Sequence, residues 1–170
     1  MTGVQTCALP ISSLQKGMDS IKADRDRLVG FEFTEPGRAE QALTRISTTP
    51  SLEEASEDAD VVIEAVYEDV VLKQRIFKEL DEYCPERTIL ASSTSTIIPS
   101  RFSEVTQRPD RVLVAHYTGP SYLSPLVEIV RTGQTSDETV DIIFQVLTKV
   151  GKRPVIVQKE VPGFIRSEKR

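Results

Sequence analysis

His116 is the only histidine in the chain, and it stands where the apolar run Val112-Leu113-Val114-Ala115 gives way to a Gly-Pro turn. Further on, Glu128 interrupts a second apolar run, Leu126-Val127-Glu128-Ile129-Val130, where an ionised carboxylate is costly unless it has a partner. The intervening TGPSYLSP can fold the chain back so that the two meet. A carboxylate on one ring nitrogen fixes the tautomer and leaves the other nitrogen to accept a proton, which is how a general base is built for neutral pH. The alternatives are a histidine satisfied in a core or at the surface, and a Glu128 on a solvent-facing edge.

Two further groups lie at strand ends. Ser93, Thr94, Ser95 and Thr96 offer four hydroxyls in a row, a pattern that more often caps a following helix than does chemistry. Glu68, Asp69 and Lys73 open a helix, where dipole complementation and a solvated face account for them. No G-x-S-x-G elbow is present, and no His/Cys cluster has metal-ligand spacing.

Alternating elements must hold these residues. Residues 12–28 read as a charged helix, and Thr34 and Pro36 open a second helix carrying Ala39, Leu43 and Ile46. Ser51 and Glu54 form a capping-box pattern before DVVIEAV, a buried strand broken only by Glu64. A helix follows with Leu72, Ile76, Phe77 and Leu80 on one side, stopped by Pro85. TILASS, RVLVAHY, LVEIVRT and PVIVQK read as further strands. A short helix after Pro99 comes between the first two, and a longer one precedes PVIVQK; Thr135 and Glu138 cap the longer, which carries Val140, Ile143, Phe144 and Leu147 to Gly151. The pattern predicts an α/β fold of doubly wound type with a mostly parallel sheet, whose ligands bind beyond the carboxyl ends of the strands. EAVYED, SSTST and HYTGP then open on one edge.

The whole chain is 170 residues with 39% hydrophobic and 28% charged residues and a net charge of −5, enough for one core and poorly suited to nucleic acid. No apolar run approaches the roughly 20 residues that span a bilayer. Two cysteines build no disulfide framework, so a reducing cytoplasm is the expected setting. Residues 1–11, MTGVQTCALPI, have no helical or strand period and no signal-peptide layout; they resemble a translated sequencing adapter and are expected to be a leader foreign to the fold. RSEKR, residues 166–170, is expected to be a similar tail, which leaves residues 12–165 as a partial domain.

From about Ile21 to Ile165 the chain resembles the NAD-dependent 3-hydroxyacyl-CoA dehydrogenases, in EDADVVIEAVYEDVVLK, ASSTS, HYTGP, LVE and PGF taken in order. The resemblance implies a Rossmann-like fold and NAD as cofactor, with His116 as catalytic base, Glu128 its orienting carboxylate, and Ser95 touching the substrate hydroxyl and the nicotinamide. It also implies that Glu68 and Lys73 lie along the cofactor, as does the loop at Gly119, where the family has asparagine. Oxidation of a 3-hydroxyl to the 3-oxo product is the activity implied, on a small hydroxy acid or an acyl-CoA. SSTS, PSYLSPLVE and KEVPGFI are similar to the carnitine dehydrogenases and to the L-gulonate dehydrogenase that serves as lambda-crystallin, which act on free hydroxy acids. The sequence departs from the family pattern at Gly119, at Ser167 and in having no G-x-G-x-x-G, which would hold a pyrophosphate at a helix N-terminus. The expectation is a fragment without the glycine-rich half and without the helical domain that makes the family's dimer. A non-catalytic Rossmann-like module with an unprotected sheet edge is the competing expectation.

Overall fold

The computed structural model describes residues 4–7 and 11–164. These fall into two compact units that meet between Glu57 and Asp58.

In the first unit, β1 (Val4–Cys7) is followed by α1 (Ile11–Gly30), α2 (Pro36–Leu43), β2 (Ile46–Thr49) and α3 (Leu52–Ser56). β1 and β2 run parallel, with Val4 opposite Ile46 and Cys7 opposite Thr49. Arg25 of α1 bridges to Glu40 of α2 at 2.6 Å. The second helix is shorter than its period predicts: it begins after Glu35 rather than Thr34, ends at Leu43, and leaves Ile46 to open a strand. Ile46 lies three residues after Leu43 and so satisfies the helical spacing, but Ile-Ser-Thr-Thr is a β-branched run, which suits an extended chain better. The Ser51 capping box forms as expected, its hydroxyl accepting from the Glu54 N–H at 3.2 Å.

The second unit is built on β3 (Val61–Glu64), α4 (Val70–Tyr83), β4 (Ile89–Ser92), α5 (Ser100–Ser103), β5 (Val112–Tyr117), β6 (Leu126–Arg131), α6 (Asp137–Lys149) and β7 (Arg153–Val157). The five strands form one sheet in chain order. β3, β4 and β5 are parallel, β6 turns back antiparallel to β5, and β7 runs parallel to β6. This is an α/β, Rossmann-like arrangement with a mostly parallel sheet. Pro154, which has no N–H to give, is confined to the edge strand β7.

Alternation along the strands separates two faces. Ile89, Ala91, Leu113, Ala115, Val127 and Ile129 pack with Val140, Ile143 and Leu147 of α6 in one buried cluster. The other face, with Leu90, Val114 and Val130, lies under α4 and α5, whose Phe77 and Phe102 rings meet at 4.4 Å between centroids. Phe144, expected on the apolar side of α6, is 37% exposed because it lies one step round the helix from Ile143. The cap of α6 is Ser136, whose hydroxyl accepts from the Thr139 N–H at 3.1 Å. Thr135, the expected cap, gives its hydroxyl to the Val112 carbonyl at 2.7 Å instead. Gly151 ends the helix at φ +83, with the Lys152 N–H returning to the Leu147 carbonyl at 2.9 Å. Among the described residues no helix is long and apolar enough to cross a membrane.

Candidate active site

The site is assembled where the carboxyl ends of β3, β4 and β5 meet the start of β6. Antiparallel pairing sets His116 directly opposite Glu128, and cross-strand partners share a face. His116 Nδ1 and Glu128 Oε2 are 2.6 Å apart, and the two residues are 6% and 1% exposed. With Glu128 as a carboxylate, which only accepts, Nδ1 is the donor of this contact and Nε2 is the ring nitrogen outside it. Phe164, buried, lies against the imidazole with ring centroids 5.5 Å apart. The solvent-facing alternative for Glu128 therefore fails on burial.

One row back on the same face stands a second cluster. By register Glu64 is opposite Ser92, and Ser92 opposite Val114, two residues before His116. Lys73 of α4 reaches both carboxylate oxygens of Glu64 at 2.9 Å, and the Ser92 hydroxyl donates to the same carboxylate at 2.6 Å. The Val66 N–H also donates to Glu64. Lys73 is 1% exposed, so it is not part of a solvated helix face; it occupies the buried stripe that Phe77 and Leu80 continue.

Toward solvent, Glu68 lies 3.6 Å from Lys73 Nζ through Oε2, with its side chain 41% exposed. Its other oxygen, Oε1, accepts from the Thr94 hydroxyl, the Thr96 hydroxyl at 2.8 Å, and the N–H groups of Ser95 and Thr96 at 3.2 Å. The hydroxyl row thus holds a carboxylate and not the next helix, whose N-cap is Pro99. Burial pushes the Glu68 carboxyl up, but the hydrogen bonds from Thr94 and Thr96 and the charge of Lys73 outweigh it, so its pKa falls below the ordinary value. Val66, Glu68, Lys73 and the stretch Ser93–Thr96 line a cavity of about 310 Å³. Asp69 does what the helix start predicts, its carboxylate accepting from the Leu72 N–H at 2.7 Å.

The chain from residue 2 to residue 161 matches the family described as 3-hydroxyacyl-CoA dehydrogenase, NAD binding domain. The chain belongs to this family. It is 38% identical over 144 residues to the peroxisomal fatty acid beta-oxidation multifunctional protein of Arabidopsis thaliana, covering 85% of this chain and 20% of that protein. Against the human lambda-crystallin homolog the identity is 41% over 126 residues, 74% of this chain and 40% of the relative. The solved (S)-3-hydroxybutyryl-CoA dehydrogenase from Ralstonia eutropha superposes with a TM-score of 0.90 at 34% identity, covering 96% of this chain and 57% of that one. The chain thus spans less than half the length of these two curated relatives.

Within this 3-hydroxyacyl-CoA dehydrogenase domain the structure joins the expected residues in two groups: His116 with Glu128, and Glu68 with Lys73 and Ser95. No hydrogen bond among the described residues links the two groups. Gly119 lies in the exposed loop after β5, and a side chain there would meet nothing within 4 Å. Two residues escaped the reading of the sequence. Glu64 carried a usable signal, since it breaks an apolar strand as Glu128 does. Phe164 carried none beyond its place in PGF, because its contact with His116 depends on how the segment after β7 returns to the sheet.

Proposed function

We propose that this domain serves the NAD-dependent oxidation of the 3-hydroxyl of an L-3-hydroxy acid or 3-hydroxyacyl-CoA to the 3-oxo product. The observation that carries the proposal is the buried 2.6 Å contact of His116 with Glu128 at the carboxyl edge of the sheet. His116 is the base: Nε2 takes the proton of the substrate hydroxyl. Glu128 holds Nδ1–H, keeps the ring in the one productive tautomer and stabilises the imidazolium that results. Ser95 orients the hydroxyl from the end of β4.

The cavity at Glu68 fits the sugar part of a nicotinamide nucleotide. Glu64, Glu68 and Lys73 bring two carboxylates and one ammonium together, a balance that favours hydroxyl donors over phosphates. Glu68 and Lys73 would hold that part, with the Gly119 loop beside it. When bound, NAD supplies the hydride acceptor. Substrates from the carnitine and gulonate class belong to the proposal alongside acyl-CoA thioesters, on the strength of SSTS and PSYLSPLVE. A reducing cytoplasm is the setting we assign from the cysteine content, although the Arabidopsis relative is named as peroxisomal.

The test is His116→Ala in an enzyme extended to the length of the relatives, assayed with 3-hydroxybutyryl-CoA, carnitine and gulonate. Removing the base should lower kcat by about 10²–10⁴-fold with little change in KM. Turnover within a few-fold of the unmodified enzyme on every substrate overturns the assignment.

A further inference from the structure

Glu64 is buried with hydrogen bonds to both carboxylate oxygens, and the proposed proton transfer does not use it. It accepts from Lys73 through both oxygens at 2.9 Å, from the Ser92 hydroxyl at 2.6 Å and from the Val66 N–H. Two of the donors, Lys73 and Val66, line the cavity itself. Lys73 comes from α4, Ser92 ends β4 just before the hydroxyl row, and Val66 starts the turn that delivers Glu68. Lys73 has its second carboxylate in Glu68, at 3.6 Å, and the Val66 carbonyl at 3.5 Å. A buried ammonium with one carboxylate beneath it and another at the cavity is fixed in direction by the inner one, because only there is the contact short and shared by both oxygens.

We infer that Glu64 is a positioning residue for the cofactor: through Lys73 it holds the ammonium aimed at the Glu68 cavity, and through Val66 it shapes the turn that carries Glu68. The inference rests on the reading of that cavity as the nicotinamide–ribose site. It makes Glu64 a determinant of nucleotide affinity without any contact to the nucleotide. An ordinary structural ion pair would support the fold but leave binding at Lys73 untouched.

A double-mutant cycle on the full 170-residue chain separates these roles, with NADH as the probe and its fluorescence as the readout. Lys73→Met should weaken NADH binding about tenfold, an effect in the range of one well-made charged contact. Glu64→Gln should weaken it comparably, and the Glu64→Gln, Lys73→Met pair should bind no more weakly than Lys73→Met alone. If Glu64→Gln binds NADH within twofold of the unmodified chain, or if its effect is the same size with and without Lys73, the inference is wrong. Should circular dichroism show that Glu64→Gln does not fold, Glu64→Asp, which keeps the charge and shortens its reach, goes through the same cycle with the same expectation. Weaker NADH binding in Lys73→Met but not in Glu64→Gln sinks the inference and leaves the cofactor reading standing. No NADH binding by the unmodified chain overturns the cofactor assignment and this inference together.

Discussion

Glu128 gives one oxygen to His116 and leaves the other, Oε1, buried with no hydrogen-bond partner among the described residues. A half-satisfied carboxylate in an apolar sheet is held there at a cost of about 1–3 kcal/mol, which a purely structural residue has no reason to incur. The contact with His116 is therefore the main support of that carboxylate, and truncating the imidazole should strand it. His116→Ala is expected to lose about 3 kcal/mol of unfolding free energy in urea, the effect of breaking a buried pair from one side. His116→Ala combined with Glu128→Leu should recover most of that loss, because no unpaired carboxylate remains and Leu matches the apolar neighbours Val127 and Ile129. A double variant as unstable as the single one would mean that the cavity left by the ring, and not the orphaned carboxylate, sets the cost.

At the scale of elements, the end of β4 and the start of α4 form one device. Thr94 and Thr96 donate hydroxyls to Glu68 while Lys73 approaches from the helix, and together they hold its pKa below the ordinary value against the opposing effect of burial. A carboxylate depressed in the folded state stabilises the fold above its unfolded pKa, and that contribution is lost as pH falls through the folded value. Thr94→Val with Thr96→Val should raise the Glu68 pKa in a carboxylate NMR titration and move the acid unfolding midpoint to higher pH. An unchanged midpoint would mean that Lys73 and the backbone N–H groups set the shift without the hydroxyls. How much of this was legible follows the range of the interactions. The β5–β6 pairing of His116 with Glu128 could be read because a lone carboxylate in an apolar run demands a partner, and the hairpin offers one. Glu64 makes the same demand, but its partner Lys73 sits on a helix, and the stripe of Lys73, Phe77 and Leu80 reads as a charged turn unless it is matched to the strand beside it. The role of the hydroxyl row was hidden for a similar reason: Glu68 and Thr94 are 26 residues apart, and only the parallel β3–β4 register brings them together.

At the scale of the molecule, burial is divided very unevenly between the two units. Among residues 13–57 the buried apolar side chains are Leu14 and Ala39, and Phe31 and Phe33 are exposed. In the second unit, β4, β5 and the middle of β6 are covered on both faces, by α6 on one and by α4 and α5 on the other. Burial of apolar area supplies most of the free energy that opposes chain entropy, at about 25 cal/mol per Å², so the two units cannot have equal local stability. Ion pairs such as Arg25–Glu40, with Glu40 well exposed, add at most about 1 kcal/mol. Amide hydrogen exchange read by mass spectrometry should therefore show α1 and α2 exchanging orders of magnitude faster than β4, β5 and β6, with opening free energies near zero in the helices and near the global value in the strands. His116, Glu128 and Ser92 sit on these strands, so the proposed base and its orienting carboxylate should share their protection. Equal protection across both units would overturn this division of stability.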